Sequence, residues 1–290
     1  MLSFDLVANA IVAGVLVGGF YAAVTLGISI TFGLLDIANL THPVFIILGS
    51  YVAVSMNASY GFDPILTGLL STPVFFALGI GVYHLYYHCF ERKGEEALRG
   101  LVFFFGLLFI IEVLLVLKYG VDYRMIEASY IGQSFSIAGI GLAPRLLVPC
   151  IVGVCLTLAI QQFLSKTFYG RAVLGVSQDS LALRLMGVNP IKIKSFAFGL
   201  GVATASIAGA LLVIIGPVEP SSGREYIGRA FAIAVLGGLG SISGTLIAAF
   251  VLGVAESLTA TIFGPSWALA VSFSMLLLVL AIRPAGLLGR

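Results

Sequence analysis

Apolar runs recur from one end of this chain to the other, near 6–33, 44–58, 65–88, 100–118, 145–164, 193–216, 227–238, 244–262 and 266–283. Runs of about twenty residues match the roughly 30 Å hydrocarbon core of a bilayer, whereas 44–58 and 227–238 are short for it. No single soluble core can hide so much apolar surface: the 290 residues are 60% hydrophobic and only 10% charged, with a mean hydropathy of +1.12. Lipid must solvate much of it. The reading is an all-α, polytopic integral membrane protein forming one domain over 1–290, with about 8–9 transmembrane or partial helices. The first run lacks the basic start and cleavage region of a secretory signal and reads as a retained helix.

A net charge of +2 gives no nucleic-acid footprint, and the three cysteines (Cys89, Cys150, Cys155) show no paired spacing, so they read as packing residues. His84 and His88, one turn apart beside Glu91, lack a further ligand at suitable spacing, so no metal site is expected. No phosphate-binding loop and no nucleophile–base arrangement stands out. The chain reads as a non-enzyme without its own cofactor, and if ATP drives it, the ATPase is another chain.

One polar island interrupts the apolar pattern. From Lys166 to Lys194 there are five basic residues (Lys166, Arg171, Arg184, Lys192, Lys194) against one acid, Asp179. The positive-inside tendency puts this 165–192 loop in the cytoplasm, and nine crossings then put the N-terminus outside and Arg283–Arg290 inside. Asp179 to Met186 reads as a short amphipathic helix with Leu181, Leu185 and the flanking Val188 on one face, Asp179 and Arg184 elsewhere, stopped by Gly187 and Asn189-Pro190. It is either a solvated connector or an element that inserts into a groove on a partner.

Two further breaks precede or follow the short runs: Gly33-Leu-Leu-Asp-Ile-Ala-Asn-Leu-Thr-His-Pro43 and Gly237-Gly-Leu-Gly-Ser-Ile-Ser-Gly244. Interrupted apolar segments in corresponding places of two halves point to a translocation path. The alternative is a tight helix crossing in which glycines only permit contact. Asp36, Asn39 and His42, at a spacing of three, would share one face of a helical turn, with Pro43 opening the next helix. The path candidates are Asp36, Asn39, His42, Gly238, Gly240 and Ser241. Glu112 and Glu256 are either buried carboxylates with a neighbour or interfacial residues near helix ends.

These residues also carry a resemblance. Gly170-Arg171-Ala172, Asp179, Ala182, Leu185 and Gly187-Val188-Asn189, followed by Phe198-Gly-Leu-Gly201 and Ala208-Gly209, resemble the cytoplasmic loop and next helix of the LivH-type permeases of bacterial branched-chain amino acid ABC importers. Asn39-Leu-Thr-His-Pro-Val-Phe45 to Leu48-Gly49-Ser-Tyr51, Leu236 to Gly244 with Leu252-Gly253 and Glu256, and Arg283 to Gly289 are similar to three other stretches of that family. Pro43-Val44 stands where the family usually shows Gly-Glu, Leu174 where a second arginine is common, and 60–140 shows little to match. The resemblance implies a multi-pass permease subunit in the bacterial inner membrane, working by alternating access. Its implied partners are a related second permease, two cytoplasmic ATPases that hold the ATP and Mg, and a periplasmic solute-binding protein. The Asp179–Met186 element would be the coupling helix, with Gly170, Arg171, Asp179, Ala182, Leu185 and Gly187 as coupling residues. Other classes remain open at this point: a channel for urea or short amides, or a proton-coupled transporter using Asp36, Glu112 or Glu256.

Overall fold

The computed structural model describes residues 4–94, 96–126, 128, 130–132, 135–137, 140–283 and 285–289. Glu127, Pro284 and Arg290 lie outside the described residues. Helices α1 (Phe4–Thr31), α2 (His42–Tyr60), α3 (Pro64–Cys89) and α4 (Glu96–Tyr119) lead to a small antiparallel hairpin, β1 (Phe135–Ile137) and β2 (Ile140–Leu142). There follow α5 (Pro144–Lys166), α6 (Phe168–Gln178), α7 (Ser180–Leu185), α8 (Pro190–Ile215), α9 (Gly223–Gly237), α10 (Ile242–Phe263) and α11 (Ser266–Ile282). Seven helices of the described residues are long and apolar enough to cross a membrane: α1 to α5, α8 and α10.

All nine apolar runs become helices, but one length expectation is corrected. The 44–58 run is not a partial helix: Pro43 sits in the first turn, where its missing N–H costs nothing, and the helix continues for 19 residues until Gly61 turns left-handed at φ 69°. The 227–238 run does stay short, as α9 spans 15 residues. Local chemistry sets other starts. Asp63 Oδ1 accepts the amides of Ile65 and Leu66 ahead of Pro64, and Asn189 does the same for Ile191 and Lys192 ahead of Pro190.

Helix α8 is the axis, buried along nearly its whole length against α1, α2 and α3. Helices α1 and α10 pack antiparallel through small residues, so close that a Cβ on Gly253 would lie 2.5 Å from the Gly14 carbonyl oxygen. In lipid such contact replaces the hydrophobic drive as the source of association. The outer faces of α4 and α11 remain apolar and exposed, through residues such as Val102, Leu114, Leu117, Leu277 and Ile282.

The bundle has two distinct ends. At one, Lys194 on the first turn of α8 pairs with Glu91, just past α3, at 2.5 Å, and the α5–α8 connector lies there with both breaks. At the other, Asn9 Oδ1 accepts the Gly141 amide at 3.0 Å and the Tyr130 hydroxyl donates to Asp63 at 3.0 Å. The start of α1 therefore sits at the hairpin end and residues 285–289 at the connector end.

Helix–helix glycines can be separated from lipid-facing ones by substitution. Gly253→Val should lower the melting temperature and the yield of folded protein, at a cost of about 1–3 kcal/mol for overpacking. Gly106→Ala, where an added Cβ meets nothing within 4 Å, should be neutral or slightly stabilising. Thermal melting in detergent, followed by size-exclusion fluorescence, measures both.

Candidate functional site

The connector folds as two helices, where the sequence shows one. Thr167 caps α6 by accepting the Gly170 amide at 3.0 Å, and α6 buries Gly170, Ala172, Val173 and Val176. Gly170 is a packing residue, since a Cβ there would lie 2.2 Å from the Phe163 carbonyl oxygen; Arg171 beside it is exposed. The signal for α6 was present as Thr167, a capping residue, ahead of Ala172, Val173 and Val176 at helical spacing, but Gly170 and Gly175 masked it. Asp179 then caps α7, its Oδ1 accepting the amides of Leu181 and Ala182 at 2.9 Å each. Gly187, at φ 83°, ends the turn. No residue of α7 is buried: Leu181, Leu185 and, just beyond, Met186 are 65%, 82% and 80% exposed. The amphipathic segment is thus where the sequence puts it, with its apolar side uncovered by the chain itself.

The first break does not form the helical turn expected of Asp36, Asn39 and His42. Residues 36–39 are irregular, and Asp36 adopts a left-handed φ of 57° and is exposed, whereas Asn39 and His42 are buried. Asn39 Oδ1 accepts the Thr41 amide at 3.1 Å, Thr41 Oγ1 donates to the Phe104 carbonyl at 2.8 Å, and His42 Nε2 bonds the Val24 carbonyl at 3.1 Å. With Val24 only able to accept, His42 carries its proton on Nε2, and Nδ1 is left with Asn39 Nδ2 as buried atoms without a partner. Such groups mark a place where polarity is held at membrane depth.

The second break packs on the first. A Cβ on Gly33 would lie 2.3 Å from the Gly240 amide nitrogen, and Gly238 and Gly240 take positive φ values of 97° and 82° that side chains other than glycine's rarely adopt. Gly238 faces the chain's own Gly289 and Ala285, so it packs within the chain. Ser241 Oγ accepts the Gly244 amide at 3.1 Å and caps α10.

Both intramembrane carboxylates are buried and paired, against the interfacial alternative. Glu112 holds Arg224 by two bonds, 2.6 Å to Nη2 and 3.1 Å to Nε. Glu256 accepts Arg229 Nε at 3.1 Å, the Tyr21 hydroxyl at 2.6 Å and the Ser272 hydroxyl. Sequence reading passed over Arg224 and Arg229; two arginines opening a short apolar run, with two lone glutamates elsewhere, was the available signal. His84 and His88 bond to Ser195 Oγ and to the His84 carbonyl, and among the described residues no group of three or more His, Cys, Asp or Glu is placed to hold a metal.

The bundle is mostly apolar, with buried ion pairs, a capped and exposed connector helix and two interlocked breaks, and comparison with known proteins decides the family. Residues 10–280 match the family model described as "Branched-chain amino acid transport system / permease component". The chain belongs to that family. The permease is 29% identical to the high-affinity branched-chain amino acid transport system permease protein BraD of Pseudomonas aeruginosa, over 97% of this chain and 95% of that protein. It is 38% identical to the corresponding LivH protein of Salmonella typhimurium over 46% of this chain and 44% of that one. A more distant relative, 29% identical over 46% of the chain, is the autoinducer 2 import system permease protein LsrC of Yersinia pestis. No solved structure shows a significant match. The permease is a multi-pass membrane protein and the transmembrane component of an ABC transport system.

The Glu256 cluster yields a stability test. Glu256→Gln should destabilise the permease by about 3 kcal/mol because it leaves the mostly buried Arg229 with only the exposed Glu225 carboxylate, 3.9 Å away, as counter-charge, whereas Glu256→Gln with Arg229→Gln should recover much of that loss. Melting of both single variants and the double variant in detergent reads the difference, and additive losses would show that the pair carries no coupling.

Proposed function

We propose that this chain imports branched-chain amino acids or a related small polar solute across the bacterial inner membrane, by alternating access driven by two separate cytoplasmic ATPase subunits. A related second permease and a periplasmic solute-binding protein complete the assembly; ATP and Mg are held by the ATPases. The observation that carries this is the exposure of Leu181, Leu185 and Met186 on and just past α7, on the basic connector that the positive-inside tendency puts in the cytoplasm. An exposed Leu181, Leu185 and Met186 on a rigidly capped turn has the chemistry of a helix that docks in a partner's groove. The related permeases named for branched-chain amino acids support the solute, and the one named for autoinducer 2 keeps it at the level of small polar molecules. Family membership favours this over an autonomous channel or a proton-coupled carrier, and the pairing of Glu112 and Glu256 with arginines offers no free carboxylate there to carry a proton.

In this reading Asp179, Ala182, Leu185 and Gly187 form the coupling turn, Arg171 flanks it and Gly170 anchors it. ATP binding closes the ATPase dimer, α7 moves with it, and the path changes the side it faces. Asp36, Asn39, His42, Gly238, Gly240 and Ser241 border that path, the buried donor of Asn39 and acceptor of His42 being its polar contacts.

Leu185→Asp should weaken ATPase association at least about tenfold, since a charge enters an apolar groove, without impairing membrane insertion. Co-purification with the ATPase at wild-type yield together with normal uptake would remove the coupling role. Asn39→Leu and His42→Leu should each lower uptake in proteoliposomes while leaving the ATPase bound. Wild-type uptake by both would reduce the break to a structural turn.

A further inference from the structure

Where α3 and α8 leave the apolar slab at the connector end, a cavity of about 580 Å³ opens between them and α7, within the roughly 300–1,000 Å³ of small-molecule sites. The end of α3 contributes Tyr87 and, just past it, Glu91; α7 contributes Ser180 and Arg184; the start of α8 contributes Asn189 and Lys194. Most of these polar groups are donors. Asn189 Oδ1 is engaged by the Ile191 and Lys192 amides, which leaves its Nδ2 group. Among the described residues Glu91 is the one acid in the wall, and it accepts Lys194 on Oε1 at 2.5 Å and the Tyr83 hydroxyl on Oε2 at 2.8 Å. With Lys194 neutralised there, Arg184 is the uncompensated charge: among the described residues no carboxylate lies within ion-pair distance of it.

The rest of the wall is apolar, formed by Leu181, Val188 and Ile191 among others. Hydrogen-bond donors and a free cation beside an apolar wall suit the phosphate of an amphiphile better than free phosphate, which has no apolar part to bury. The height of the cavity agrees. The apolar spans Pro64–Lys93 and Pro190–Ile215 both end beside it, so it is level with lipid headgroups, and the basic connector puts that level in the cytoplasmic leaflet. Basic pockets between helix ends on that side bind anionic headgroups. Helix α7 buries none of its own residues and is joined to the bundle through α6 and α8. An anion shared by Arg184 of α7 and Tyr87 of α3 would tie it to α3 as well.

We propose that this cavity binds the phosphate of an anionic phospholipid from the cytoplasmic leaflet, held by Arg184 with Tyr87, Ser180 and Lys194, and that the bound lipid braces α7 for ATPase docking. The bracing rests on the importer reading above; the lipid site does not.

The test uses the complete transporter in a neutral detergent, titrated separately with a short-chain phosphatidylglycerol, the matching phosphatidylcholine and inorganic phosphate, with thermal melting as the readout. Because Arg184 is exposed, its substitution leaves the fold intact. Phosphatidylglycerol should raise the melting temperature of the native chain. Arg184→Gln should raise the lipid concentration needed roughly fivefold, and Arg184→Lys should restore most of the response. In nanodiscs of phosphatidylcholine, added phosphatidylglycerol should slow ATPase dissociation several-fold for the native chain and leave Arg184→Gln unchanged. An equal response to phosphatidylcholine, a response to inorganic phosphate at the same concentrations, or a native-like titration by Arg184→Gln would overturn the lipid site. Faster ATPase loss from Arg184→Gln in discs without the anionic lipid would assign Arg184 to the ATPase contact and overturn the bracing. Absence of ATP-driven uptake of labelled leucine, isoleucine and valine by the native chain would overturn the importer reading, while the melting titrations still decide the lipid site.

Discussion

A backbone that leaves helical geometry inside an apolar slab must find its hydrogen-bond partners in protein, because lipid offers none. Both breaks obey this constraint, the first with local resources. In the first, the amides of Leu34 and Ile37 reach back to the carbonyls of Ile30 and Thr31, and the His42 amide to that of Asn39. In the second, residues from the far end of the chain supply the donors: Leu287 and Leu288 donate to the carbonyls of Leu236 and Gly237, where α9 stops. The C-terminal stretch is thus part of the permease's interior bonding, and the close approach of Gly33 to Gly240 makes the two irregular segments one structural unit.

The same constraint governs charge. Arg224 and Arg229 on α9 are each neutralised by a carboxylate from a different neighbour, α4 and α10, and Tyr21 and Ser272 complete the shell around Glu256. The pairs tie a short helix to two long ones in addition to the burial of its Ala230, Ile233, Ala234 and Leu236. Helix α4 otherwise touches the bundle sparingly, through Thr41 to Phe104, the Tyr51–Tyr119 rings at 4.7 Å and aromatic contacts of Phe104 with Tyr86 and Phe198.

Much of this was legible in the residues. Apolar run length marked the nine helices, and Asp179, Gly187 and Asn189-Pro190 marked the bounds of α7, because caps act within a few residues of themselves. The arrangement of Asp36, Asn39 and His42 was not legible: helical spacing does not hold across a segment whose left-handed Asp36 breaks the period, so only two of the three turn inward. The 44–58 run stops two residues short of α2 at each end because His42 and Ser59 carry no apolar signal. Pairing of Glu112 and Glu256 depends on contacts over 112 and 27 residues of separation, which no local pattern encodes.

The two arginines of α9 also bear on how the chain is made. Arg229, midway along α9, costs about 2.5–3.5 kcal/mol on the insertion scale, whereas Arg224 sits in the first turn with a half-exposed side chain; α9, at 15 residues, has little apolar length to offset the buried one. Hydrophobicity alone does not retain α9 in the bilayer; its counter-charges do. Glu112 has already been synthesised when Arg224 emerges, but Glu256 arrives only with α10. Stable integration of α9 therefore waits for the helix that follows it, and α9 and α10 enter the membrane as a cooperative pair.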